Sequence, residues 1–287
     1  MEAGGVIYVE HPSRKDWFTL WGTGDWHLWN RACSEKLLDH DLAEIREDPH
    51  ALWVGTGDYA DYIGYHDGKR FDPDCVSERV TIADLGRLGQ RQTEEVRDKM
   101  KPIASKCCGL ILGNHELKYQ QTQEQANLHG WLCTELGARN FGYSVLFDVI
   151  FCRVTGIKTV RVSRNCPKNC NARHRFRIFA HHGSGFAATP GGKLNRLIRF
   201  MNMMEADIYL MGHVHDQTGR RMVEIRADAT CENITQREKL GVICGTYLRT
   251  YTQGSTGYGE QKGYEPVPLG ARFVRIHPDS GQVKAEI

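Results

Sequence analysis

The feature that most limits how this chain can fold is an alternation in its first half. "WFTLWG" (17–22), "ALWVG" (51–55) and "CCGLILG" (107–113) are short apolar runs that read as strands. Between the first two, "SEKLLDHDLAEIRED" (34–48) places Leu37, Leu38, Leu42 and Ile45 at helical spacing. Further helices are expected over about 83–104 and 120–136, so the chain opens as βαβαβ. After Gly137 the pattern changes. "YSVLFDVIFCRVTGIKTVRV" and "HRFRIFAHH" are rich in β-branched and aromatic residues, which favour strands. One helix is expected at about 193–205, before a "DIYLMG" strand, and the remainder, from "GVICGTYLRTY" to "ARFVRIHP", reads as strands and loops.

A chain of 287 residues can bury a sizeable core, and no repeat or Gly/Ser linker divides it. The expectation is one α/β domain over 1–287, two sheets with helices outside, with residues 1–15 a candidate extension. The N-terminus has no basic stretch followed by an apolar one, and no segment approaches bilayer-spanning length. A cytoplasmic protein with no membrane partner is therefore expected. The ten cysteines then read as reduced thiols. Only "CPKNC" (Cys166 to Cys170), with His174 nearby, hints at structural zinc, and its spacing is unusual and lacks an obvious fourth ligand.

The residues that follow the strands carry the chemistry. In order they are "GDWH" with Asp25 and His27, "GTGD" with Asp58, "GNHE" with Asn114, His115 and Glu116, "HHGSG", and "GHVH" with His213 and His215. In an extended backbone residues i and i+2 share a side, so His213 and His215 are expected to converge across Val214. Singly, each motif has an ordinary explanation. An aspartate can cap a helix, an asparagine can make a turn, and a histidine can sit satisfied in a core. Jointly, they occur where loops at the carboxyl ends of strands assemble ligand sites. Mixed imidazole and carboxylate ligands without cysteine suit iron, manganese, zinc or nickel. Six or seven ligands exceed one tetrahedral site and suit two ions about 3.5 to 4 Å apart.

Taken in order, these motifs match D-x-H, G-D, G-N-H-[DE], H and G-H-x-H, and the chain resembles the calcineurin-like metallophosphoesterase superfamily over residues 25 to 215. The resemblance implies a four-layer αββα sandwich of two mixed β-sheets and a dinuclear, metal-dependent phosphoric ester hydrolase. It implies that Asp25, His27 and His215 hold one divalent ion, that Asn114, His181 and His213 hold the other, and that Asp58 bridges them. A metal-bridging hydroxide would then attack the phosphate ester. His181 is preferred over His182 because it directly follows the strand, where the family's usual ligand lies. His115 would be catalytic without binding metal, and "GDYAD" resembles the "GDYVD" of the protein phosphatases, in which the last aspartate, here Asp61, orients that histidine. Those phosphatases continue with a phosphate-gripping arginine, whereas this chain has Tyr62. That difference counts against protein phosphatase activity. "HHGSGFAATPGGKLNRL" and "GTYLRTYTQGSTGYGEQKGY" also resemble phage and prokaryotic members of unknown substrate.

Charge distribution bears on the substrate. Net charge is +2, yet from Val149 to Met204 there is no Asp or Glu and there are eleven Lys or Arg, which leaves 26 basic against 35 acidic residues elsewhere. Such a segment could border the cleft and attract a polyanion, making nucleic acid a candidate partner, or could be a solvated sheet face. The expected activity is accordingly a phosphodiesterase or nuclease ahead of a phosphomonoesterase on a small substrate. A non-catalytic metal-binding scaffold is the alternative from another class.

Overall fold

The computed structural model describes residues 1–64, 67–68, 70–123, 127–185 and 187–285. The chain runs β1 (Glu2–His11), β2 (Phe18–Thr23), α1 (Glu35–Glu47), β3 (Ala51–Gly55), α2 (Leu88–Met100), β4 (Cys107–Leu110), α3 (Asn114–Gln123) and α4 (Leu128–Glu135). It continues through β5 (Ser144–Arg153), β6 (Arg161–Ser163), β7 (Ala172–His181), α5 (Pro190–Met203), β8 (Ile208–Met211), β9 (Gly219–Ala227) and β10 (Ile234–Ile243). It ends with β11 (Gly245–Thr246), α6 (Tyr258–Gln261), β12 (Gly270–His277) and β13 (Gln282–Ala285).

Two mixed sheets result. One has seven strands in the order β6-β1-β5-β7-β8-β10-β9; the other has six, in the order β11-β12-β2-β3-β4 with β13 on β12. They face each other across a core that joins Val9, Phe151 and Ile178 of the first to Phe18, Leu20, Leu52 and Val274 of the second. The outer face of the six-stranded sheet packs Trp53 against Leu38 and Ile45 of α1 and Val96 and Met100 of α2. The outer face of the seven-stranded sheet packs Phe179 and Tyr209 against Leu197 and Met201 of α5. The layers are therefore helix, sheet, sheet, helix, an αββα sandwich.

Three details depart from the sequence expectations. Residues 1–15 are not an appendage, because β1 lies inside the seven-stranded sheet, parallel to β5 and antiparallel to β6. Its signal is hidden by Gly4 and Gly5, the latter at φ +67° in a bulge that breaks the register. The helix expected over 83–104 is α only from Leu88 to Met100; the Lys101–Lys106 turn containing Pro102 is 3-10, since proline has no N–H to continue the α ladder. The helix expected over 120–136 is two elements, with α4 starting where the Asn127 side chain accepts from Gly130 N at 2.7 Å. Among the described residues no helix is long and apolar enough to cross a membrane.

Parallel pairing of β2 with β3 and of β3 with β4 sends three carboxyl ends to one edge, and parallel β7 and β8 add two more from the other sheet. All five polar loops meet there.

Candidate metal centre

Local backbone conformation aims the side chains. Asp25, His27, Asp58, His213 and His215 have φ of 48, 48, 52, 70 and 46°, left-handed values that disfavour residues with a Cβ by about 1–2 kcal/mol each. Hydrogen bonds between loops hold them there, including the backbone pairs Asp25 N to Gly57 O at 2.8 Å and Trp26 N to Asp58 O at 2.9 Å, and His213 N to the Asp25 side chain at Oδ2 at 2.8 Å. Close approach is part of the design. A Cβ on Gly113 would lie 2.2 Å from Asp58 Oδ1, so only glycine lets the "GNHE" loop pass the "GTGD" loop.

This geometry corrects the expected convergence of His213 and His215. The chain is not extended there, since both residues are left-handed and Val214 N turns back to Gly212 O at 2.9 Å. The two imidazoles part into separate groups instead. His215 Nε2 lies 3.1 Å from His27 Nε2 and 3.3 Å from Asp25 Oδ1, so that Asp25, His27 and His215 form one potential cation-binding set. His213 joins Asp58 and His182 in another, while Asp58 also groups with His27 and His115. Asp58 is thus the carboxylate shared between the two sides.

The second correction concerns the paired histidines. His182, not His181, enters the cluster, with Nε2 3.3 Å from Asp58 Oδ2 and 2.9 Å from the inward amide atom of Asn114. His182 Nδ1 faces the Thr56 carbonyl at 2.7 Å, and a carbonyl only accepts, so Nδ1 carries a proton and Nε2 is the atom turned inward. Burial opposes charge on this ring, but Asp58 alongside raises it to about 9, so a cation would displace the second proton for Nε2 to ligate. His181 is the last residue of β7, so its side chain faces the opposite way; its ring packs on Phe200 with centroids 4.4 Å apart and its Nδ1 accepts from Gly183 N at 2.7 Å.

The third correction concerns Asp61. Its backbone carbonyl, not its carboxylate, receives His115 Nδ1–H, leaving His115 Nε2 toward the cleft and 4.0 Å from Asp58 Oδ2. The Asp61 carboxylate lies 3.5 Å from His27 Nδ1 and accepts from Asn30 Nδ2 at 3.3 Å. It therefore lies beside His27 and not His115.

The donor set fits bound cations. The inward amide atom of Asn114 is 2.7 Å from His213 Nδ1, 2.9 Å from His182 Nε2 and 3.3 Å from Asp58 Oδ2. With the amide oxygen inward these are lone pairs facing one another, an arrangement a cation reconciles; with the nitrogen inward the amide donates to its neighbours instead. Asp25 Oδ1 is also buried without a hydrogen bond. Burial alone would raise the Asp58 carboxyl, but the imidazoles of His182, His115 and His27, through the positive charge they carry when protonated, hold it well below the ordinary range, and a bound cation would take over that role. Burial, with His182 alongside, pushes His213 down to about 4, which keeps it neutral and able to ligate.

Two supporting residues were not assigned from the sequence. Glu116, the last residue of "GNHE", is buried and accepts from Gly113 N, Asp58 N and Tyr59 N at 3.1, 3.0 and 2.7 Å, tying the two ligand loops together. Lys193, near the start of α5, donates to His215 O at 3.1 Å and pairs with Asp216 at 3.3 Å. An acid two residues after a candidate ligand was the available signal for Glu116; Lys193 has none, because its partner is 22 residues away.

The cluster opens into a cleft of about 720 Å³ that continues past Phe71, Pro73, Leu248, Tyr258 and Tyr264. Of the eleven cations in the acid-free segment, Lys193 is the one lining this cleft among the described residues. Arg175 and Arg177 pair with Asp148 and Arg153 with Asp279, while Arg161 lies on edge strand β6 opposite Glu10, toward the far end of β5. Among the described residues the cleft lining thus takes one cation from this segment, with Arg196 beside it through a bond to Ser184 O at 2.7 Å. No zinc set forms at Cys166 and Cys170: among the described residues no cation-binding group contains a cysteine, and His174 turns to Asp279 at 3.7 Å.

The family model for calcineurin-like phosphoesterases matches residues 18–217. No curated protein matches the chain. Among solved structures, a Vps29 single mutant from Entamoeba histolytica aligns at 12% identity, covering 94% of this chain and 97% of that one, with a TM-score of 0.35. A Thermotoga maritima protein solved by solution NMR aligns at 13% identity over 64% of this chain and 81% of its own, with a TM-score of 0.17.

Proposed function

The chain belongs to the calcineurin-like phosphoesterase family, and from that premise we propose that it is a dinuclear metal-dependent phosphodiesterase acting on a compact diester. Asp25, His27 and His215 would hold one divalent transition-metal ion, Asn114, His182 and His213 the other, and Asp58 both. The observation that carries this reading is the convergence of potential ligand atoms from five strand ends on two adjoining groups that share Asp58. Bound there, two such ions would lower the pKa of a coordinated water and neutralise charge on the phosphoryl oxygens.

The chain's own groups supply the rest. His115, fixed through Nδ1 by the Asp61 carbonyl, presents Nε2 to the cleft; in its protonated form it can stabilise phosphoryl charge or give a proton to the departing oxygen. Asp61 sets its carboxylate 3.5 Å from His27 Nδ1, and Glu116 fixes the backbone of Asp58 and Gly113. A diester is favoured over a monoester by the state of the cations in the lining. Arg70 is paired with Asp67, Lys193 with Asp216, and Arg249 with the Ala32 and Cys33 carbonyls and Ser34 Oγ. Each is engaged, which leaves the second charge of a monoester dianion without a dedicated partner among them. Tyr62 is buried, with its hydroxyl 2.9 Å from Thr93 Oγ1, and contributes no phosphate grip. Only Lys193 of the acid-free segment lines the cleft among the described residues, which weakens the support that charge distribution lent to a nuclease.

The test is a comparison of bis-p-nitrophenyl phosphate with p-nitrophenyl phosphate in the presence of manganese. The diester is expected to have the higher kcat/KM. A clear preference for the monoester would make the protein a phosphomonoesterase, and no turnover of either would favour the scaffold reading.

A further inference from the structure

The edge of the seven-stranded sheet away from β6 is a two-stranded ribbon. Strand β8 pairs with β10 only from Leu240 to Ile243, while β9 and β10 stay paired from Gly219–Val242 out to Ala227–Ile234. The face of the ribbon that continues the inter-sheet core carries Arg221, Val223 and Ile225 on β9, opposite Leu240, Glu238 and Gln236 on β10. Arg221 Nη2 reaches Val283 O of β13 at 3.1 Å, and Leu240 and Val242 lie within the inter-sheet core. Farther out, Val223, Ile225 and Ile234 are 53, 69 and 70% exposed. The opposite face is anchored: Glu224 pairs with Arg226 at 2.7 Å and with Lys239 at 3.2 Å, and Arg237 pairs with Asp207 at 2.6 Å. The ribbon is held in place, while among the described residues its apolar side and the backbone edge of β9 are left uncovered.

An edge strand of nine residues with exposed β-branched side chains is a template for another strand, and natural sheets protect such edges or use them. We propose that β9 pairs antiparallel with β9 of a second copy of this chain, about a two-fold axis through Ile225, joining two seven-stranded sheets into one. The choice of partner and register follows from the sequence of the strand. A two-fold axis normal to the sheet keeps each face on its own side, so each residue meets one of the same parity. With the axis at Ile225, Ile225 meets Ile225 and Val223 meets Ala227 on the exposed face. On the other face Glu224 meets Arg226 twice, once from each copy. Neighbouring registers are worse. An axis at Glu224 sets that carboxylate against itself, an axis at Arg226 does the same with its guanidinium, and an axis at Val223 sets Arg220 against Arg226. Opposite charges directly across an antiparallel pair stabilise it and like charges oppose it, so the strand is complementary to itself in one register.

Sedimentation velocity on the full chain over a wide concentration range tests this. A reversible monomer–dimer equilibrium is expected. Glu224→Arg, which sets a guanidinium against that of Arg226 across both halves of the junction, is expected to weaken dimerisation by about tenfold or more. Adding Arg226→Glu to that variant reverses both members of each pair and is expected to restore the dimer. Thermal melts of the variants check that each remains folded. A wild-type monomer at every concentration would overturn the proposal, as would open-ended assembly beyond the dimer, or a dimer that the charge reversal leaves unchanged. The outcome is independent of phosphoesterase activity.

Discussion

At the scale of single residues, the pair His181 and His182 separates two accounts of the centre. They are adjacent in sequence and differ in everything that matters for ligation: His182 points its Nε2 at Asn114 and Asp58, and His181 stacks on Phe200. His182→Ala should lower metal content measured by elemental analysis, and His181→Ala should retain it; the opposite result would return the ligand to the strand end. His115 is a different kind of residue, because its Nδ1 is occupied by the Asp61 carbonyl and its Nε2 faces the cleft. His115→Ala should keep the metals and lower kcat by about 10² to 10⁴, the range for losing a general acid. Loss of metal in that variant would show that His115 is a ligand. These roles were only partly legible in the sequence. The type and order of the ligands could be read because each motif is contiguous. The choice within "HH" turned on whether the strand includes His181, a boundary shift of one residue that reverses which way a side chain points.

At the scale of elements, α4 carries a titration that can be read in stability. His129 is 2% exposed, its Nε2 is 3.6 Å from Cys133 Sγ, and burial pushes its imidazole down to about 4. Histidine in an unfolded chain titrates near 6.5, so between about 6.5 and 4 the unfolded chain binds a proton that the folded protein refuses. Stability from this group is complete above that window and is lost as pH falls through it, by about 3 kcal/mol at the acid limit. The urea midpoint of wild type should therefore fall more steeply between pH 7 and 4.5 than that of His129→Leu, both measured in chelator. Equal slopes would contradict the assignment. Element types were largely legible, since the periods of the first strands and helices are strong. What escaped was set by features with little periodicity: β1, broken by Gly4 and Gly5, and the end of α2, imposed by Pro102.

At the scale of the whole molecule, two sheets deliver loops to one edge, and the site exists only because they do. Asp25, Asp58 and Asn114 follow strands of the six-stranded sheet, and His182, His213 and His215 follow strands of the seven-stranded one, so each of the proposed ion positions draws on both. This was legible as a joint pattern and not in detail, because strand order and sheet membership depend on contacts far apart in sequence. The acid-free segment left two readings open for the same reason: adjacent in sequence, its cations are spread from edge strand β6 to α5. The central claim, that this assembled edge is a two-metal hydrolytic centre, is tested most directly by stripping the protein with chelator and titrating manganese back while following bis-p-nitrophenyl phosphate hydrolysis and bound metal together. The account predicts that activity appears as binding saturates at two ions per chain. Saturation at a single ion with full activity, or two bound ions with no hydrolysis, would contradict it.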